Sequence, residues 1–361
     1  MSLDLLLLPG DGIGPEISEA TRRVLETADR VFGLGLAFET DLIGFASHER
    51  EGTTFPPRVL ERARAADGVV LGPVSHAEYP PAAAGGINPS GGLRIGLDLY
   101  ANIRPSRSVA GLDRGGSGFD LVIVRENTEG FYADRTMHAG SGEFMPTPDL
   151  ALAVRKISRL GSERIARAAG RIARARRRRV TIVHKANVLK LSDGLFLDAA
   201  ERVLRDEFPE VTVDDQHVDA MASLLVRDPE RFDVIVTTNM FGDILSNLTA
   251  ELAGGLGLAA SLNLGDRHAM AQAAHGSAPD IAGEDRANPT SLILSAAMLL
   301  RHIGQSRDGE PFGAAATAIE SAVEAQLADV TGRTSDLGGS LGTAAFADAV
   351  RIRLERREMG G

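Results

Sequence analysis

The chain reads as an α/β protein in which helices cover a sheet. Three observations give that class. Short, continuous apolar runs recur at residues 5–8, 68–72, 121–124, 180–183 and 234–237, the pattern of strands buried on both faces. Helical periodicity accompanies them at 59–65, 162–175, 195–206 and 242–253, as expected for helices laid over a sheet. The length of 361 residues exceeds the roughly 250–300 over which one core keeps growing, so two lobes are expected.

In chain order, the strand at 5–8 runs into PGDGIG at 9–14, and Pro15 opens a helical pattern to about Thr27; proline is at home in a first helical turn. A glycine loop at a helix N-terminus presents free N–H groups that suit a phosphate. Glycines 10, 12 and 14 miss the G-x-G-x-x-G spacing, however, and Asp11 would repel a pyrophosphate, so a tight structural turn is preferred to a dinucleotide fingerprint. Residues 111–118 form a glycine-rich joint, and 133–148, aperiodic with two prolines, read as an arm. Beyond about Thr238 strands become scarce, and 290–303, 313–327 and 343–355 read as helices. The middle of the chain therefore reads as a lobe of its own.

Composition narrows the function. The chain has no cysteine, which removes disulfides, thiolate metal sites and cysteine nucleophiles. Thirty-nine basic residues against 49 acidic ones give a net charge of −10, which argues against nucleic acid or an anionic membrane as the whole-molecule partner. Six arginines crowd residues 171–179; they read as solvated cations at a helix C-terminus. No apolar run approaches the ~20 residues of a membrane span, and the opening MSLDLLLLPG lacks the basic region and cleavage site of a signal peptide. A soluble cytoplasmic protein is expected.

Several residues carry chemistry. Arg94 and Arg104 stand ten apart, and Arg125 follows the strand at 121–124. Converging guanidinium forks suit a di- or tricarboxylic acid; the alternative is three unrelated surface ion pairs. Asp243 and Asn247 lie at i and i+4 after another strand, and Asp219 is a third oxygen donor. Such ligands suit Mg²⁺ or Mn²⁺, although Asp243 equally fits a helix N-terminal charge. Lys185 ends the strand at 180–183, where a nearby cation would favour its neutral, basic form. Tyr132, one of three tyrosines, serves either packing or proton donation.

Taken together, LPGDGIGPE at 8–16, the Arg94/Arg104 pair, RENTEGFY at 125–132, HKANVLK at 184–190, VDAM at 218–221, FDVIVTTN at 232–239 with FGDILS at 241–246, and HGSAPDIAG at 275–283 with ANP at 287–289 resemble the isocitrate/isopropylmalate dehydrogenase family. These are metal-dependent β-decarboxylating dehydrogenases of 2-hydroxy acids. The resemblance spans nearly the whole chain. It implies an isopropylmalate dehydrogenase-like, non-Rossmann α/β fold in two lobes, each with a sheet covered by helices: a discontinuous cofactor lobe of 1–100 and 254–361, and a metal and dimerisation lobe of 101–253 with an arm near 133–150. It also implies a homodimer with shared sites, Lys185 and Asp219 coming from the neighbouring subunit.

Residue by residue, the resemblance makes Arg94, Arg104 and Arg125 the clamp on the substrate carboxylates. Asp219 and Asp243 hold the cation, Lys185 acts as base and Tyr132 as proton donor. Asn187 faces the nicotinamide, and His275, Gly276, Ala278, Asp280, Ile281 and Asn288 form the adenosine loop. A carboxylate at Asp280 accepts ribose hydrogen bonds and repels a 2′-phosphate, which favours NAD over NADP. Two positions depart from the family pattern. Asn247 stands where a third metal-site aspartate is usual. Before Arg94, GINPSGG at 86–92 offers Asn88 and Ser90 in place of the leucines that wall an isopropyl pocket, and 76–85 form a longer loop beside it. The expectation is NAD-dependent, Mg²⁺- or Mn²⁺-assisted oxidative decarboxylation of a (2R)-malate with a small or polar 3-substituent, of the isocitrate/homoisocitrate or tartrate/D-malate type. The alternatives are a 3-isopropylmalate dehydrogenase or a non-catalytic regulatory subunit.

Overall fold

In the computed structural model, the described residues are 2–114, 118–132, 142–306 and 309–358. Part of the expected joint (115–117) and of the expected arm (133–141) lies outside them. The chain begins with β1 (Leu3–Leu8), α1 (Gly14–Phe32), β2 (Leu36–Thr40), α2 (Gly44–Glu51), α3 (Pro57–Ala65) and β3 (Gly68–Leu71). Two single helical turns fill the loop at 76–85 before α4 (Pro89–Gly96), β4 (Ala101–Arg107) and β5 (Asp120–Glu126). Then come the hairpin β6 (Glu143–Thr147) and β7 (Leu150–Ala153), α5 (Arg159–Arg174), β8 (Arg179–His184), α6 (Ser192–Glu207), β9 (Thr212–His217), α7 (Val218–Arg227), β10 (Val234–Thr237) and α8 (Asn239–Ala253). The short β11 (Leu262–Leu264) and β12 (Ala269–Gln272) precede α9 (Thr290–Ser306), α10 (Glu310–Ala328) and α11 (Thr343–Glu358).

Ten of the strands form one continuous sheet in the order β2-β1-β3-β12-β11-β4-β5-β10-β8-β9. The first five come from the two chain ends and the last five from the middle. They join where β11 pairs antiparallel with β4, Asn263 lying opposite Asn102. Pro105 in β4 lies beyond the stretch that β11 covers, so its missing N–H costs no bond there. The open edges are β2 and β9, and β9 is the polar TVDDQH.

Burial explains the elements. The leucines of β1 at positions 3 and 5–8 are all buried, packed between α1 with α9 to α11 on one face and α3 with α4 on the other. Gly33 takes the left-handed conformation (φ 64°) that ends α1, a position glycine occupies without strain. The turn at 10–14 is structural: the Asp11 carboxylate accepts from Phe45 N (2.8 Å) and Ser75 N (2.9 Å) and from the Tyr79 hydroxyl. Gly12 has φ 57°, and a Cβ there would meet the Ser277 carbonyl oxygen at 2.0 Å.

Arg171, Arg174, Arg177 and Arg178 are exposed at the end of α5, as expected, while the run also makes one buried tie. Arg176 Nε and Arg177 N donate to the two carboxylate oxygens of fully buried Asp233 at 2.8 and 2.9 Å. That ties the end of α5 to the start of β10.

Candidate active site

The carboxyl ends of the parallel strands, where α/β proteins commonly hold ligands, open onto a cleft of about 340 Å³ lined by Asn88, Ser90, Arg94, Arg104, Arg125, Tyr132, Asp243, Asn247, Gln272, His275 and Gly276, among others. Ten of the residues singled out in the sequence meet there. The three arginines are not surface ion pairs; each is at most 9% exposed. Arg125 comes from the end of β5 and Arg104 from β4. Arg94 comes from α4, whose first turn Asn88 caps by accepting from Gly91 N at 3.2 Å.

Asp243 stands between two of them. Its Oδ1 accepts from Arg125 Nη1 and from Arg104 Nη1, the latter at 3.5 Å, and Asn247 Oδ1 accepts from Arg104 Nη1 at 3.3 Å. Gly242 makes room for this: a Cβ there would lie 2.7 Å from Arg125 Cβ and Cγ. Asn239 Oδ1 accepts from Arg125 Nε and Nη2 at 3.0 and 2.7 Å. Burial, then the charge of Arg125, pushes Arg104 down to about 10, and burial also lowers Arg125. One carboxylate among three buried guanidiniums leaves the cleft positive, so an anion repays their desolvation.

The RENTEG segment turns the chain after β5. The Glu126 carboxylate, raised from its usual range by burial, accepts from Thr128 N (2.8 Å), Thr128 Oγ1 (2.8 Å) and Glu129 N (2.7 Å). Glu129 in turn accepts from Ser158 N at 2.8 Å, and Ser158 caps α5. Tyr132 follows this turn into the cleft.

Lys185, Asn187 and Asp219 do not join the cleft within one chain. Lys185 Nζ donates to Asp219 instead, and that bond holds the exposed Asp219 carboxyl below its usual range. The physical reason is the strand order: β8 and β9, which carry these residues into place, lie two and three strands beyond β5. The expected cation set of Asp219, Asp243 and Asn247 is therefore not assembled by this chain alone, and among the described residues no three His, Asp or Glu converge as a metal site. Lys185 N donates to Asp193 Oδ2 at 2.6 Å. Asp193 is fully buried and paired with Arg155, whose guanidinium lies 5.2 Å from the Phe241 ring centre.

A second groove continues from the cleft, sharing His275 and Gly276 and lined further by Ile13, Ala278, Ile281, Asn288 and Asp336. Burial lowers the His275 imidazole from its usual pKa. Of the expected adenosine-loop residues, Asp280 alone stays outside the lining, exposed on the rim. Asp336 supplies a carboxylate inside it, accepting from Asn288 Nδ2 at 3.1 Å. Sequence reasoning missed Asp336, Gln272 and Asn239. Asn239 closes the FDVIVTTN motif, and Gln272 stands three residues before His275, but nothing in their spacing marks them as site residues.

The site is thus a cleft carrying three buried arginines on a mixed sheet, opening into a second groove. The sequence model of the family described as isocitrate/isopropylmalate dehydrogenase matches residues 4–350. The isocitrate/homoisocitrate dehydrogenase of Thermus thermophilus is 47% identical over 354 residues, 97% of this chain and 98% of that protein. The 3-isopropylmalate dehydrogenase of Archaeoglobus fulgidus is 42% identical over 354 residues, 97% of this chain and 99% of that one. The crystal structure of isocitrate dehydrogenase from Methylococcus capsulatus superposes with a TM-score of 0.86 at 43% identity, covering 98% of this chain and 99% of that one. The chain belongs to the isocitrate/isopropylmalate dehydrogenase family and is an oxidoreductase.

Proposed function

We propose that the chain is an NAD-dependent, Mg²⁺- or Mn²⁺-assisted dehydrogenase that oxidatively decarboxylates a (2R)-malate bearing a small or polar 3-substituent, working as a cytoplasmic homodimer. The observation that carries the reading is the convergence of Arg94, Arg104 and Arg125 with Asp243, Asn247 and Tyr132 in one cleft that shares His275 and Gly276 with the neighbouring groove. Asn88 and Ser90 wall the cleft before Arg94; they favour a polar 3-substituent such as the carboxymethyl of isocitrate over an isopropyl group. Among the described residues no helix is long and apolar enough to cross a membrane.

In this reading residues 1–100 and 254–361 carry the cofactor and 101–253 carry the cation. Asp243 and Asn247 each turn an oxygen toward Arg104 Nη1, so two hard donors lie side by side, the kind of pair a divalent cation shares. A cation held by these two residues and Asp219 of a second copy would lower the pKa of the 2-hydroxyl and polarise the carbonyl formed from it. The arginines fix the carboxylates. Lys185 of the second copy would take the hydroxyl proton on Nζ, and NAD held along the groove of His275, Ala278, Ile281 and Asn288 would supply the acceptor for the hydride of C2. The 3-carboxylate then leaves as CO₂, and the Tyr132 hydroxyl delivers a proton to C3.

The test is NADH formation by the purified chain with NAD and Mn²⁺ against isocitrate, homoisocitrate, 3-isopropylmalate, D-malate and tartrate. Preferred turnover of one of the polar acids is expected, abolished by EDTA. Preference for 3-isopropylmalate would overturn the reading of Asn88 and Ser90, and no turnover of any acid would favour a regulatory subunit.

A further inference from the structure

Behind the arginines, a row of uncharged amides crosses the seam of the sheet. Asn102 and Asn263 are fully buried and face each other across β4 and β11. Asn102 Oδ1 accepts from Arg104 Nε at 2.6 Å, and Asn102 Nδ2 donates to Asn263 Oδ1 at 3.0 Å. Asn263 Nδ2 donates to Gln272 Oε1 at 3.3 Å. That same oxygen accepts from Arg94 Nη2 at 2.9 Å, while Gln272 Nε2 donates to Ser90 Oγ at 3.0 Å.

The orientation of every amide follows from the two ends. A guanidinium only donates, so Asn102 must turn its oxygen to Arg104 and its nitrogen to Asn263. Asn263 then has its nitrogen left for Gln272, whose oxygen must also meet Arg94. The row admits this one arrangement without placing donor against donor. It fixes two cations contributed by different elements, Arg104 by β4 and Arg94 by α4, and it does so with neutral acceptors, which orient a guanidinium without cancelling its charge as a carboxylate would.

We infer that Asn102, Asn263 and Gln272 are positioning residues that set the spacing of Arg94 and Arg104 for a substrate's carboxylates. The inference rests on the reading of those arginines as the substrate clamp. It assigns function to Asn102 and Asn263, buried amides outside the cleft lining, and to Gln272 in the cleft wall, and it makes the β4–β11 seam part of the specificity machinery.

The experiment uses the full-length chain, Asn263→Leu, which breaks the row in the middle, and Gln272→Leu, which releases Arg94 and Ser90 at the cleft wall. Each is assayed for KM of the hydroxy acid, KM of NAD and kcat, and for the rise in Tm on adding isocitrate without NAD. The expected result is a rise of about tenfold or more in KM for the acid, with KM for NAD and kcat changed far less and the isocitrate-induced Tm rise lost in both variants. A merely structural role would lower the unliganded Tm and kcat while leaving the KM for the acid in place, and that pattern would overturn the inference. Should Asn263→Leu fail to fold, Asn102→Ser decides in its place, because Asn102 lies outside the cleft lining whereas Gln272 is part of it. A wild-type chain that gains no Tm from any of the five acids would overturn the clamp reading itself. A wild-type gain preserved in the variants would overturn the positioning role only.

Discussion

Asn247 stands one turn along α8 from Asp243, and the two oxygens share Arg104 Nη1. An amide there supplies one neutral donor where an aspartate would supply a charge, and cation affinity follows the count of ligand charges. Asn247→Asp is therefore expected to lower the Mn²⁺ concentration for half-maximal activity on the order of tenfold. It should also raise the KM of the acid, because Arg104 would spend part of its charge on the new carboxylate. Titrating Mn²⁺ at saturating acid checks this, and an unchanged requirement would remove residue 247 from the cation site. At this scale the sequence was most informative where a residue belonged to a motif: Arg94, Arg104, Arg125 and Asp243 were found that way. Gln272 and Asp336 gain their importance only from what folds against them.

The turn between β1 and α1 shows how an element prepares the site without entering the chemistry. Asp11 receives hydrogen bonds from Phe45, Ser75 and Tyr79, and Ile13 N donates to Ser277 O at 2.8 Å. The glycine loop thus braces the segment that carries the groove. In Asp11→Asn a buried N–H₂ would face an N–H or O–H donor, an unsatisfied contact that costs about 1–3 kcal/mol. Urea unfolding should show that loss, together with a raised KM for NAD; full stability would mean that Asp11 is dispensable to the turn. Elements were legible in proportion to their apolar content. β1, β3, β5, β8 and β10 announce themselves as buried runs. β4 contains Arg104 and Pro105, β9 is an acidic edge, and β11 and β12 are only three and four residues long, so no hydrophobic period survives in them. The same polarity in β4 is what delivers Arg104 to the cleft.

Across the whole molecule, one chain splits the expected catalytic set. Arg125, Tyr132 and Asp243 meet in the cleft, while Lys185 and Asp219 pair elsewhere. If two copies complete each other's sites, Lys185→Met and Tyr132→Phe are each inactive as pure preparations. Co-expressed, they should recover about a quarter of wild-type activity, since half of randomly paired dimers keep one sound site of two. No recovery would mean that each chain builds its own site. The separation of Lys185 from Tyr132 was beyond the reach of sequence periodicity, because it is set by strand order and not by spacing along the chain. The same strand order leaves β9 at one margin of a ten-stranded sheet, with Asp214 and Asp215 in mid-strand. A foreign strand adding there would bring its own side chains beside one carboxylate on each face of the sheet, a charged edge that disfavours templated pairing, so a long sheet can persist at high protein concentration without recruiting its neighbours.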